Sequence, residues 1–394
     1  MGEGDRAFLS QVVRFAAALS TMFIGYGLIQ PLISLYTTSF VGASYLMVGA
    51  MISSIGLVKA AMGPVSGFLS DTYGRKKFAS AGAVSIAVSL MIVAFAGSTV
   101  HLILAFVLYG LGQALFFLAL MTSMVEAAGP ARRALSLGLY EGVNSFSILA
   151  GTALSGPIVA AFGSRMTFGL AAAFSFVSFL ICVLLMKETM GLRRPEGGVL
   201  DLKGLKKLVS PEYATAMFSA FLFMYTHSLF MAIIPLYTTI TVQLPAEFLP
   251  TLFMGFSGTT AVASLIAGPV SDRVGRKIPI ALGMIIATAS YSALLLNRTP
   301  SSLIVAGMAL GFGVGFFHPV ASAIVADIST SENRGKAFGF YRLMRDLGTF
   351  AGPAVAGVVS GLLGVDTLFM LSMCLSAVGA MLAIFVIKET LRKG

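Results

Sequence analysis

Charge is scarce in this sequence. Only 11% of its 394 residues are Asp, Glu, Lys or Arg, against about 25% in a soluble domain. A soluble chain of this length builds two or three cores, each with a polar coat, and too little charge is present to coat them. Cysteine is scarcer still. Cys182 and Cys374 stand 192 positions apart inside apolar stretches, with neither metal-ligand spacing nor a soluble disulfide context, so both read as packing residues. Paired His, Cys and acidic residues at ligand spacing are missing, which speaks against a metal centre. No phosphate loop of the G-x4-G-K-[ST] kind occurs, which disfavours ATP-driven work. A membrane enzyme or scaffold finds no support either, because no nucleophile–base constellation and no appended domain can be picked out. The alternating pattern of a membrane β-barrel is absent too, so helices must satisfy the backbone. No cleavable signal is evident, and Ser10 to Leu35 is long enough to span and to remain as a first helix.

What is abundant is apolar length. Hydrophobic residues make up 57% of the chain and the mean hydropathy is +0.93. Apolar runs of roughly twenty residues recur, enough to cross about 30 Å of hydrocarbon. Cutting at charges and turn residues predicts twelve spans, at 8–37, 45–70, 78–97, 101–127, 135–162, 166–187, 213–240, 246–270, 277–296, 301–327, 336–362 and 366–388. The fold class is an all-α membrane protein of twelve transmembrane helices. The one long connection, 188–212, carries GLRRPEGG as a linker and LDLKGLKKLV as an amphipathic surface helix. It divides the chain into six-helix halves at 1–187 and 213–394.

The bases set the expected orientation. Of 26 Lys and Arg, Arg14, Lys59, Arg342 and Arg345 fall within spans, and Arg165 and Arg298 on the outer side. The other twenty collect on one side, which the positive-inside bias makes cytoplasmic, with both termini. The net charge of +10 therefore reflects topology. No basic soluble face exists for nucleic acid.

The chain also repeats itself at an offset of 201 residues. GFLSDTYGRKK at Gly67–Lys77 returns as GPVSDRVGRKI at Gly268–Ile278, with Asp71 matching Asp272. The same offset relates LYTT at Leu35–Thr38 to Leu236–Thr239, Gly110 and Gly112 to Gly311 and Gly313, and Glu126 to Asp327. It also relates Arg133 to Arg334, Tyr140 to Tyr341, and KET at Lys187–Thr189 to Lys388–Thr390. Two six-helix halves in the same orientation are a transporter architecture.

These residues resemble the major facilitator superfamily, and the resemblance covers essentially the whole chain. Its loop pattern between helices 2 and 3 is matched by Gly67, Leu69, Asp71, Gly74, Arg75 and Lys76. The pattern recurs between helices 8 and 9 at Gly268, Asp272, Arg273, Gly275, Arg276 and Lys277. Within the family the chain looks most like the twelve-helix drug:proton antiporter branch. Gly25 and Pro31 match that branch's helix-1 element, with Ser34 where a second proline is usual. AGTALSGP, ending in Gly156 and Pro157, resembles its helix-5 signature, and GTFAGPAVAG in helix 11 is similar. Phe106 stands where the branch usually has a helix-4 arginine. The resemblance implies a secondary transporter in the plasma (inner) membrane that exports amphiphilic small molecules against protons by alternating access, without a cofactor and as a monomer.

Candidate functional residues fall into four groups. Asp71, Arg75, Glu126 and Arg133 can form one charge cluster at a hairpin end, and Asp272, Arg276, Asp327 and Arg334 its repeat. Gly67 and Gly74 permit a close approach and a tight turn there. By resemblance these clusters latch the cytoplasmic side, and Gly156 with Pro157 governs bending and leak. The second group is charge inside spans, where an unpaired residue costs roughly 3 kcal/mol or more: Arg14, Lys59, Glu141, Arg342, Arg345 and Asp346. Glu141 and Arg342 are related by the repeat, Lys59 and Asp346 are candidates for an interdomain ion pair, and Glu141 is the expected coupling carboxylate with Asp346 its competitor. The stripe Glu141, Asn144, Ile148, Thr152, Ser155 is mostly polar and expected to face a cavity. Third come Tyr26 and Gln30, on one face of helix 1, and His227 and His318, which can titrate or touch substrate. Last are Phe116, Phe117 and Phe317, which can line an adaptable apolar pocket. Four bases against two acids among the buried charges also leave open an uptake carrier for an organic anion.

Overall fold

The computed structural model describes residues 3–42, 44–128, 133–189, 210–329 and 334–389. The GLRRPEGG linker and the amphipathic stretch that follows it fall within 190–209, outside the described residues, as do the side chains of Arg133 and Arg334. Every regular element described is helical: α1 (Glu3–Ile29), α2 (Ile33–Val41), α3 (Tyr45–Tyr73), α4 (Arg75–Ala94), α5 (Thr99–Ala128), α6 (Arg133–Leu184), α7 (Pro211–Leu236), α8 (Phe248–Val274), α9 (Lys277–Leu296), α10 (Pro300–Ile328), α11 (Arg334–Leu363) and α12 (Val365–Phe385).

Eleven stretches among the described residues are long and apolar enough to cross a membrane. One of them, 47 residues from Gly138 to Leu184, is about 70 Å long at 1.5 Å per residue, twice the ~30 Å of hydrocarbon. It breaks at Gly163, whose φ of 75° is left-handed, so it makes two crossings and the total is twelve. Two span boundaries differ from the sequence reading. The first span is not one helix over 8–37, because Pro31 has no amide to give and the chain turns at 30–32 before α2 begins. The fifth and sixth spans meet at a single residue instead of a short loop. Where Pro235 interrupts α7, a π-turn at Tyr237–Thr241 follows. There the hydroxyls of Thr238 and Thr239 donate to Ile234 O at 2.9 Å and Pro235 O at 2.8 Å.

Helices in lipid gain nothing from hiding apolar surface, so small residues and interhelical hydrogen bonds decide which pairs touch. Equivalent residues do so in both halves. A side chain on Gly151 would strike the backbone of Ile24 and Gly27 in α1, and one on Gly352, 201 residues on, would strike Tyr225 and Ser228 in α7. Beside Gly151, Thr152 Oγ1 donates to Gly27 O at 3.3 Å and Ser155 Oγ to Leu28 O at 2.8 Å. Gly82 and Gly112 close the α4–α5 crossing, and Gly283 and Gly313 close α9–α10.

By contact the chain forms two compact units, Met1–Gln30 with Val58–Leu200 and Pro31–Leu57 with Asp201–Gly394. In the second unit, α2 and the first half of α3 pack with the C-terminal helices. Ser34 Oγ donates to Met231 O at 3.4 Å, and Tyr45 Oη lies 2.8 Å from Thr241 Oγ1. Gly49 and Gly56 sit against the α11 backbone at Gly357 and Phe350.

The glycine crossings give a direct test. Gly151→Leu is expected to lower the thermal midpoint of the detergent-purified protein, at an overpacking cost of about 1–3 kcal/mol or more. Gly169→Leu, which meets nothing within 4 Å, should leave it nearly unchanged.

Candidate functional site

The α3–α4 hairpin of the first unit turns on Gly74. Its φ of 110° disfavours any side chain, and a Cβ there would lie 2.5 Å from Glu188 Oε2. That carboxylate, beyond the end of α6, accepts hydrogen bonds from the first amides of α4: Arg75 N at 2.9 Å and Lys76 N at 3.2 Å. These amides have no partner within the helix, and the positive end of the helix dipole favours an anion. The Arg75 side chain turns inward and is 8% exposed. Its guanidinium pairs with Asp71, donates to Ser70 Oγ at 2.9 Å, and reaches Glu126 Oε1 from Nε at 3.3 Å and Nη2 at 2.9 Å. Thr189 Oγ1 donates to the other Glu126 oxygen at 2.9 Å. One planar fork thus ties the end of α3, the end of α5 and its own helix together, a geometry a lysine lacks.

The second unit builds the same site from residues 201 positions on. Gly275 turns at φ 96° against Glu389. The Glu389 carboxylate accepts from Arg276 N at 2.8 Å and Lys277 N at 3.3 Å. Arg276 donates to Ser271 Oγ and Asp272 Oδ1 at 2.6 Å each and to Asp327 Oδ2 at 3.1 Å. Burial works against the Arg276 charge, but hydrogen bonds and charges from Asp327 and Asp272 outweigh it, and its pKa moves up.

Sequence reasoning assembled Asp71, Arg75 and Glu126, and Asp272, Arg276 and Asp327, which the structure brings together. It missed Glu188, Glu389, Ser70 and Ser271. The signal was available, since the KET repeat follows the same offset. Gly67 meets only the tip of Leu118, at 3.1 Å, so its role in a close helix approach is slight.

Inside the spans the picture is more mixed. Asp346 is 4% exposed, and its Oδ2 lies 3.8 Å from Nε of Arg342, one turn earlier on α11. Arg345 lies over the ring of Tyr341 at 5.6 Å. Arg14 donates to Leu185 O at 3.2 Å, beyond the last turn of α6. Lys59, Glu141 and Asn144 are part-buried on α3 and α6. The polar stripe of α6 does not face a cavity throughout. Thr152 and Ser155 are 0% exposed, because their hydroxyls serve the α1 backbone. Gly156 is part-buried and Pro157 exposed, so the tight crossing belongs to Gly151, Thr152 and Ser155.

Tyr26 is part-buried on α1 and Gln30 is buried in the turn just beyond its end, and one helical turn before Tyr26 the ring of Phe23 stacks on Phe117 at 4.9 Å. In the second unit His227 of α7 and His318 of α10 have ring centroids 6.4 Å apart at 84°. Phe317 stacks on Phe223 at 4.1 Å beside them.

The sequence pattern of the Major Facilitator Superfamily matches residues 15–246 and 216–394. The chain belongs to this superfamily. Among superfamily relatives, the multidrug resistance protein MdtG of Klebsiella pneumoniae (strain 342) is 24% identical over 362 residues, 88% of this chain and 86% of its own. A homolog of the multi-drug resistance efflux pump PmrA from Lactococcus lactis subsp. lactis (strain IL1403) is 23% identical, with 88% of each chain covered. The crystal structure of the human organic anion transporter MFSD10 (TETRAN) superposes with a TM-score of 0.74 at 17% identity, over 97% of this chain and 100% of that one. That likeness is one of fold. As a superfamily member the chain is a multi-pass membrane transporter, not an enzyme.

Glu188 makes a sharp prediction. Removing it by Glu188→Ala leaves the first α4 amides without their acceptor, a cap worth about 0.5–2 kcal/mol. Hydrogen exchange at Arg75 and Lys76 should therefore speed up about two- to thirtyfold, with Glu188→Gln intermediate. Unchanged exchange in the alanine variant would remove the capping role.

Proposed function

We propose that this transporter is a proton-coupled exporter of amphiphilic small molecules in the plasma membrane, working by alternating access with both termini in the cytoplasm. The observation that carries the reading is the duplicated arginine-centred network at the α3–α4 and α8–α9 hairpins. Each copy ties helix ends to the segment after the last helix of its half. Such a tie can be made in one conformation and released in another, which is what a latch requires. The efflux names of relatives that match over most of their length point the same way.

Glu141 is the proposed coupling carboxylate. Asp346 sits on the same helix as Arg342, so that pair moves as one body and is poorly suited to report a conformational change. Glu141 stands on α6, and a change of surroundings can alter its proton affinity through desolvation and nearby charge. The polar and aromatic groups Tyr26, Gln30 and Asn144, with Phe117, are proposed to meet substrate, whereas Phe116 is fully buried. The excess of Arg and Lys over acids within the spans favours one second reading, a carrier for an organic anion. Efflux assays with dye and drug panels, set against uptake of organic acids, separate the two.

Two outcomes follow. Asp71→Asn, at near-normal expression, should shift the resting population toward the inward-facing state, measured as distances between labels on cytoplasmic loops 2–3 and 10–11; unchanged distances with intact transport would reduce the network to a topological anchor. In proteoliposomes, a protonophore should abolish uphill export, since 100 mV supplies about 2.3 kcal/mol per charge moved. A folded Glu141→Gln variant should bind substrate yet fail to use the gradient. Uphill export without any ion gradient would sink the coupling, and normal coupled flux in Glu141→Gln would move the assignment to Asp346.

A further inference from the structure

We propose that His227 and His318 form one proton-binding site within the second unit, holding a single proton between two rings. Imidazole is the side chain whose ordinary titration falls between pH 5 and 8. Each histidine is part-buried among buried neighbours, His227 between Thr226 and Ser228 and His318 after Phe317. Their centroids are 6.4 Å apart and the rings nearly perpendicular, so the edge of one addresses the face of the other.

The walls are aromatic. His227 lies flat on Phe256 at 5.7 Å, and His318 stands perpendicular to Phe223 at 6.0 Å and to Phe317 at 6.3 Å. Aromatic faces stabilise a nearby cation, so these walls favour the first proton. A second would place two like charges about 6 Å apart in poorly screened surroundings and is held off. Within its apolar run 248–270, α8 carries no titratable side chain, and α10 adds none but His318 over 300–326. The helices packed on α7 bring the others. Tyr291 of α9 donates its hydroxyl to Thr226 O at 2.5 Å. On α11 stand Arg334 and Lys336 at its start and then Tyr341, Arg342, Arg345 and Asp346, on α12 Asp366 and Cys374, on α2 Tyr36, and on α7 itself Glu212, Tyr213 and Tyr225, with Tyr237 in the π-turn. Of these, Arg342, Arg345 and Asp346 sum to one positive charge, which also opposes a doubly protonated pair.

The role of this site in transport rests on proton coupling; its occupancy by one proton does not. The test is therefore spectroscopic. The chain has three histidines, and the third, His101, is exposed at the start of α5, 2.8 Å from Ser98 Oγ. In full-length protein labelled with nitrogen-15 at histidine, His101→Asn leaves two imidazoles to titrate. Both rings are expected to shift together in a first step within pH 4.5–9, with a second step displaced by at least tenfold in proton concentration. In His227→Gln, His318 should titrate in one step and the displaced step should vanish, and the reverse should hold in His318→Gln. Should a glutamine variant fail to fold, the two-step curve of the paired rings decides alone. Rings that titrate independently, or take up no proton between pH 4.5 and 9, overturn the proposal. If the pair titrates as described while a protonophore leaves export untouched, the site stands and the proton-coupling reading falls.

Discussion

In hydrocarbon a backbone amide has nothing but the protein to bond to, and helices gain nothing from hiding apolar surface from lipid. Everything else in this fold follows from that pair of conditions. Each span is helical because its own carbonyls are the only acceptors. Each contact between spans depends on how closely two backbones approach, so glycine, serine and threonine select the partners. Gly151 of α6 against α1 and Gly352 of α11 against α7 are the same solution used twice.

The same constraint explains where charge gathers. Helix ends leave amides and carbonyls without intrahelical partners, and the α3–α4 and α8–α9 turns use carboxylates from distant sequence to satisfy them. Glu188 and Glu389 accept from the first amides of α4 and α9. The adjacent arginines then bind the acids at the ends of α5 and α10. Capping and ion pairing are one structure here, so the fork holds several helix ends together instead of decorating one surface.

Much of this was legible in the sequence. The twelve crossings follow from run length, and the pairing of Arg75 with Asp71 and Glu126 from hairpin position and the 201-residue offset. The break at Gln30–Leu32 was marked by Pro31 but hidden inside an unbroken apolar run. Glu188 was visible as a repeated residue, yet nothing local says that it accepts amides 113 residues earlier. Thr152 and Ser155 share a helical stripe with Glu141, and periodicity cannot tell a cavity from a neighbouring helix.

By itself the sequence determined residence in a membrane, the number of crossings and the duplication, because these rest on summed hydropathy and on comparison of the chain with itself. Tertiary structure alone decided which small residues touch and which carboxylate meets which amide. It also decided that two histidines 91 positions apart share one aromatic box. Those outcomes depend on interhelical distances of a few ångströms, and such distances are set by packing between helices far apart in the chain, which no local pattern encodes.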